Sequence, residues 1–168
     1  MTRPQLNNSI EFTQRDHTLS PWQSTIIEGN NAFERGALLE ARDKYRCAQA
    51  LAVNLIHQFS KAKICQSVLF SIEHCCPAYV VAAHNLADTY MAMQHYEQAC
   101  QWLCDAHLTL SKLLDHPNSS VKSVVAHHHR KTYLALVDFA KLHSHEPQLI
   151  EKINHTLRNS PSKTTTLH

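Results

Sequence analysis

The chain has 168 residues, 43% of them apolar, with 16 basic and 14 acidic side chains and a formal charge of +2. This length suits one domain with a real core, and charges this evenly mixed argue against the basic face that nucleic-acid binding needs. No stretch reaches the roughly 18 apolar residues of a membrane helix, and the opening MTRPQLNNSIEF carries no apolar run for a signal peptide. A soluble, cytoplasmic protein is therefore expected, with no membrane and no nucleic acid among its partners.

Two glycines and six prolines are few breakers for this length, which predicts long helices rather than many strands and tight turns. Fourteen histidines would take the formal charge from +2 to +16 if all were protonated, so acid should destabilise the fold by self-repulsion. The six cysteines (Cys47, Cys65, Cys75, Cys76, Cys100 and Cys104) include no CxxC pair. Without an export signal, reduced thiols are expected.

Residues 1–19 lack helical periodicity and read as an N-terminal arm, with Phe12 available to pack on the body. Ser20-Pro21 is a helix start, with Ser as cap and Pro in the first turn. Trp22, Ile26, Gly29 and Phe33 then recur at helical spacing, and Gly36 ends the helix. Ala41, Tyr45, Ala48, Ala52 and Leu55 share one face of a second helix. No Gly or Pro occurs from Ala37 to Cys76, so a long helix with a bend or short break near residues 58–64 is expected.

Pro77 is read as the opening of the third helix, which runs to about Gln94; a turn at Gln94-His95 leads into the fourth, Tyr96 to Leu114. The run His116-Pro117-Asn118-Ser119-Ser120 is a loop, with Ser119 or Ser120 capping a fifth helix to about His143. The fifth helix has Val121, Val125, His128, Leu136 and Phe139 on its seam, and Pro147 restarts a short sixth over Gln148 to Leu157. Residues 20–158 form the expected domain, and 159–168 a polar tail.

Two helix pairs share a spacing. Gly29 precedes Ala41 by twelve positions and Ala87 precedes Ala99 by twelve; Tyr45 and Ala48 follow the first, Leu103 and Ala106 the second. Small residues let paired helices approach closely, and the bulky residue fills the space between successive pairs. With the segments EGNNAFERGALLEARDKYRCAQALA and HNLADTYMAMQHYEQACQWLCDAHLTL, this pattern resembles the tetratricopeptide repeat, the second copy being of the NLA type. The copies lie 58 positions apart, against about 34 for adjacent repeats. Gln94 stands where the first copy has Gly36, and Tyr133 to Leu157 is the one candidate for a third, atypical hairpin. The expected fold is all-α, an irregular tetratricopeptide-like array of about six or seven helices. The block CCPAYVVAAHNLADTY is also similar to small bacterial helical proteins with no assigned activity.

The resemblance implies a groove, lined by the first helix of each pair, that grips an extended peptide or a partner helix. The matching positions are Asn30, Phe33, His84, Asn85, Asp88 and Met91. Asn suits such work because it offers both a donor and an acceptor to a peptide backbone. Asn30 and Asn85 match the two asparagines with which some relatives hold a partner's C-terminal carboxylate, but Ile26 replaces the lysine of that clamp. The expected function is an interaction module or adaptor. Alternatives are a secretion-type chaperone, and a homodimer paired through a leftover apolar face.

Cys100, Cys104 and His107 share a helix face and are candidate ligands for Zn²⁺ or Cu⁺ in a metal-binding or thiol-redox protein, with His74, Cys75 and Cys76 as further donors. Burial of the thiols as small core residues is favoured over that reading, so no metal and no cofactor is expected. His127-His128-His129 is poor ligand geometry, since consecutive helical side chains point about 100° apart. His128 falls on the seam and the other two on solvated flanks, with Arg130 and Lys131 beside them. No glycine-rich phosphate loop, HExxH or GxSxG occurs, so no enzyme is expected.

Overall fold

The computed structural model describes residues 19–160, all within six helices and their connections: α1 (Ser20–Glu34), α2 (Leu38–Lys61), α3 (Gln66–Ala92), α4 (Tyr96–Leu113), α5 (Ser119–Leu142) and α6 (Pro147–Asn159). The expected arm with Phe12, up to residue 18, and the tail from residue 161 lie outside the described residues. The helices pair in sequence as hairpins, α1 with α2, α3 with α4 and α5 with α6. First members pack on one another, α1 on α3 and α3 on α5, while α4 packs on α6. Each second member also rests on the next first member, α2 on α3 and α4 on α5.

The first two hairpins close in the same way. After α1, Gly36 takes φ +79, and the Ala37 N–H reaches back to the Ala32 carbonyl at 2.9 Å. After α3, Gln94 takes φ +62, and the His95 N–H reaches the Tyr90 carbonyl at 2.8 Å. Both are left-handed C-terminal caps, which glycine adopts freely and glutamine only at a cost.

Close approach within the first hairpin depends on Gly29. A Cβ there would lie 2.7 Å from Cε1 of Tyr45. Ala41, Ala48, Ala99 and Ala106 are all fully buried and hold the same position in their pairs. On α6, Leu149, Ile153 and Thr156 are buried at the same gaps of four and three. The third hairpin thus repeats the pattern with larger side chains.

Several boundaries differ from the sequence reading. Residues 37–76 do not form one bent helix. α2 stops at Lys61, and Ala62 and Cys65 are extended, with ψ 157 and 174. Between Phe59 and Ile64 the chain offers only Ser60, Lys61, Ala62 and Lys63, too little apolar surface to hold a helix on the core. Pro77 does not open α3 but lies inside it. The hydrogen bond it forfeits is to the carbonyl of Glu73, an exposed residue where water can replace it. Burial of Cys75, Cys76, Ala78, Tyr79 and Val80 around it holds the helix together.

Helix starts also moved. Ser20 is the first residue of α1 rather than its cap, which is Leu19, with no side-chain bond. α5 is capped by Asn118, not Ser119 or Ser120: its Oδ1 accepts from the N–H groups of Ser120 (2.9 Å) and Val121 (3.2 Å). α6 extends to Asn159, and Ser160 is buried, so both join the body instead of the tail.

Three apolar clusters support the layers. Ala52, Ile56, Ile72, Tyr79, Leu110 and Val125 join α2, α3, α4 and α5. Ile26, Tyr45 and Leu86 fill the first two hairpins, and Leu103, Leu136, Phe139, Leu149 and Ile153 the last two. Each fully buried large aliphatic contributes about 1.5–3 kcal/mol.

Candidate functional site

The α1–α3 surface brings together the two asparagines that sequence placed 55 positions apart. Asn85 Nδ2 donates to Asn30 Oδ1 at 3.4 Å. The same oxygen accepts from the Tyr45 hydroxyl at 2.7 Å. Both amides are thereby oriented. Asn30 Nδ2 and Asn85 Oδ1 have no hydrogen-bond partner among the described residues, and neither atom is sealed from solvent. The pair thus retains one donor, on Asn30, and one acceptor, on Asn85, both on half-buried residues, the two kinds of group a peptide unit pairs with.

The other groove residues are in different settings. Phe33 is half-buried and packs on the Ile26–Tyr45 cluster. Met91 packs at the edge of the Leu103–Phe139 cluster. Asp88 is exposed one turn beyond His84. The His84 ring is largely buried and its Nε2 has no hydrogen-bond partner among the described residues. Burial, helped by the nearby Lys131 charge, depresses its pKa to about 4. On the facing helix α5, His128 Nδ1 is likewise buried without a partner. Its pKa is also held near 4, by burial first and then by Lys131 and His127. His128 is on the seam as expected, and His127 is exposed.

His129 is not on a solvated flank. It lies in a polar network between α4, α5 and the end of α6 that sequence reading missed. Its ring stacks on His107 with centroids 4.2 Å apart, and Nε2 lies 2.8 Å from Ser111 Oγ and 3.2 Å from Ser160 Oγ. Ser111 and Ser160 are 2.7 Å apart. Thr132 donates its hydroxyl proton to the His129 carbonyl (2.7 Å), so it accepts at 2.9 Å from His107, which carries its proton on Nδ1. Ser111 donates to the His107 carbonyl (2.8 Å) and so accepts from His129 Nε2–H. The Ser111–His129 contact is thus not the geometry of an activated nucleophile, since the serine proton points away from the imidazole. Burial, then the His129 charge, lowers the pKa of His107 to about 4; burial also lowers that of His129.

With its Nδ1 committed to Thr132, His107 does not join the two thiols below it. Cys100 and Cys104 are buried, with sulfurs 3.9 Å apart. Their S–H···S contact holds the Cys104 thiol down to about 7 and pushes Cys100 up, burial adding to the rise. Cys75 and Cys76 are buried in the core, and burial raises their pKa to about 11 and about 12. Among the described residues, no group of three or more His, Cys, Asp or Glu side chains is placed to hold a metal ion, which removes His74, Cys75 and Cys76 as converging donors. No helix among the described residues is long and apolar enough to cross a membrane.

An open cleft of about 490 Å³ lies elsewhere, lined by Ile64, Leu69, Phe70, Glu73 and Asn118 with the exposed Cys65. It contains none of the groove residues.

The fold and this surface define an all-α protein of stacked helical hairpins with polar side chains paired across adjacent helices. Within that class, the chain belongs to the family of proteins of unknown function DUF2753, whose sequence profile matches residues 20–168. No curated protein and no solved structure matches it.

Proposed function

We propose that this protein is a small, non-catalytic interaction module that grips an extended peptide or a partner helix across the α1–α3–α5 layer, in the manner of a tetratricopeptide-repeat domain. The observation that carries this reading is the Asn30–Asn85 pair. Tyr45 and the inter-asparagine hydrogen bond orient the two amides, and each keeps one group free for a ligand. A preoriented donor and acceptor lower the ordering cost of capturing a peptide backbone. The repeated caps at Gly36 and Gln94 and the recurrent small–bulky–small burial support the repeat architecture. Ile26 is buried where the carboxylate clamp has its lysine, so the ligand is held through its backbone rather than its C-terminal carboxylate. Six described thiols, all unpaired, suit a reducing cytoplasm.

The test is a quantitative pull-down from the native cell with the full chain, its Asn85→Ala variant and its Asn30→Ala variant. Partners held by the groove are depleted in both variants while circular dichroism stays that of the parent. Equal capture by all three chains, or global unfolding of Asn85→Ala, refutes the reading.

A second reading, self-association, draws on α5, where Tyr133 (45%), Leu134 (48%) and Leu142 (55%) remain exposed. Light scattering coupled to size exclusion decides it. A dimer that Leu134→Glu dissolves supports the pairing; a monomer at all concentrations removes it.

A further inference from the structure

The groove leaves unused the buried thiol pair of α4, which faces α6. We infer that Cys100 and Cys104 form a two-coordinate site for a soft monovalent ion, Cu⁺ by class, closed by α6. Three observations carry this.

The first is reach. The i, i+4 spacing puts both sulfurs on one helix face, 3.9 Å apart. Metal–thiolate bonds are about 2.3 Å, so two thiolates on one ion lie at most about 4.6 Å apart. The near-linear arrangement of a two-coordinate ion needs that upper limit, so binding parts the sulfurs from 3.9 Å towards it.

The second is the donor set. His107 Nδ1 is engaged with Thr132 and its ring is stacked on His129, and among the described residues no third His, Cys, Asp or Glu side chain is placed with the two sulfurs to hold an ion. The buried side chains of the surrounding cluster, Ala87, Leu103, Leu136, Phe139, Leu149 and Ile153, are apolar, with Met91 packed at its edge. Bulk water does not reach the sulfurs, since Cys100 is 0% and Cys104 2% exposed. Zn²⁺ requires four ligands in a closed site. Thiolate pairs without further donors suit Cu⁺ instead.

The third is charge. Binding releases one proton from each thiol to solvent and forms two metal–sulfur bonds, with no change of oxidation state. Two thiolates and one monovalent cation leave a single negative charge. Lys152 on α6 acts on both sulfurs with its positive charge, while the Asp105 carboxylate on α4 acts on Cys104 in the opposite sense. The helix that covers the pair therefore also carries a cation of the sign the site needs.

The experiment titrates the Cys47→Ser/Cys65→Ser chain, which lacks the exposed thiols, with Cu⁺ under anaerobic conditions against a Cu⁺ chelator. One ion per chain is expected. Adding Cys100→Ser or Cys104→Ser should weaken retention at least 100-fold, and Zn²⁺ should be lost on gel filtration. No uptake, uptake unchanged by either serine, or Zn²⁺ held as tightly as Cu⁺ overturns the site. Should the serine variants fail to fold, hydrogen exchange on the unaltered chain decides: Cu⁺ should slow exchange across residues 147–159, and unchanged exchange there overturns the proposal.

Discussion

Tyr45 lies across Gly29 so closely that a Cβ at position 29 would meet ring carbons at 2.7 and 2.8 Å. In an exposed helix, Gly→Ala gains up to about 1 kcal/mol. Here overpacking costs about 1–3 kcal/mol and wins, because Tyr45 is fully buried and its hydroxyl is tied to Asn30. Gly29→Ala is predicted to lower the urea midpoint. In a Tyr45→Leu background the same change should cost less, or stabilise.

Gln94 repeats the backbone of Gly36 with a side chain attached, at φ +62. The left-handed region costs a non-glycine residue roughly 1–2 kcal/mol. Gln94→Gly should relieve most of this and raise the melting temperature, while Gly36→Gln should lower it. Opposite signs at the two turns are the expected result; equal signs would contradict a shared turn geometry.

His84, His107 and His128 have folded pKa values near 4, against about 6.5 in the unfolded chain. The unfolded state therefore binds more protons between these values, and stability falls as pH drops from about 6.5 towards 4. The groups facing these rings add to the effect: Lys131 opposes charge on His84 and His128, His127 on His128, and His129 on His107. Urea unfolding at pH 7, 5.5 and 4.5 should show a steadily falling midpoint. A flat profile would mean that these rings are not buried neutral.

Thr132→Val keeps the side-chain shape but removes the acceptor of the His107 Nδ1–H. A buried donor left without a partner costs about 1–3 kcal/mol. Because Thr132 is 1% exposed and His107 1%, water should not repair the loss, and the variant should unfold at lower denaturant. Lys131→Ala, at an exposed residue near the same helix turn, should stay within about 0.5 kcal/mol of the parent in denaturant.

The helical class, the first two hairpins and the small residues at their crossings were legible in the sequence. Their signals are local: periodic apolar positions, scarce breakers, and an identical run of gaps in two places. The third hairpin was hidden because Leu149, Ile153 and Thr156 keep the gaps but not the small side chains. Pro77 misled because its clash and missing N–H are intrinsic, whereas what sustains α3 is burial against neighbouring helices. The histidine triplet was split correctly only in part. His127 and His128 follow from helix angle alone, but the place of His129 depends on Ser111 of α4 and Ser160 beyond α6.

By itself, then, the sequence determined that this chain forms stacked amphipathic helices and named both asparagines of the candidate groove, since helical period and side-chain type are properties of short stretches. Tertiary structure alone decided that Asn30 and Asn85 meet, that His107 pairs with Thr132, and that Cys100 and Cys104 lie beneath α6. Each of these depends on which helix faces come together, and that is set by the packing of side chains far apart in the chain.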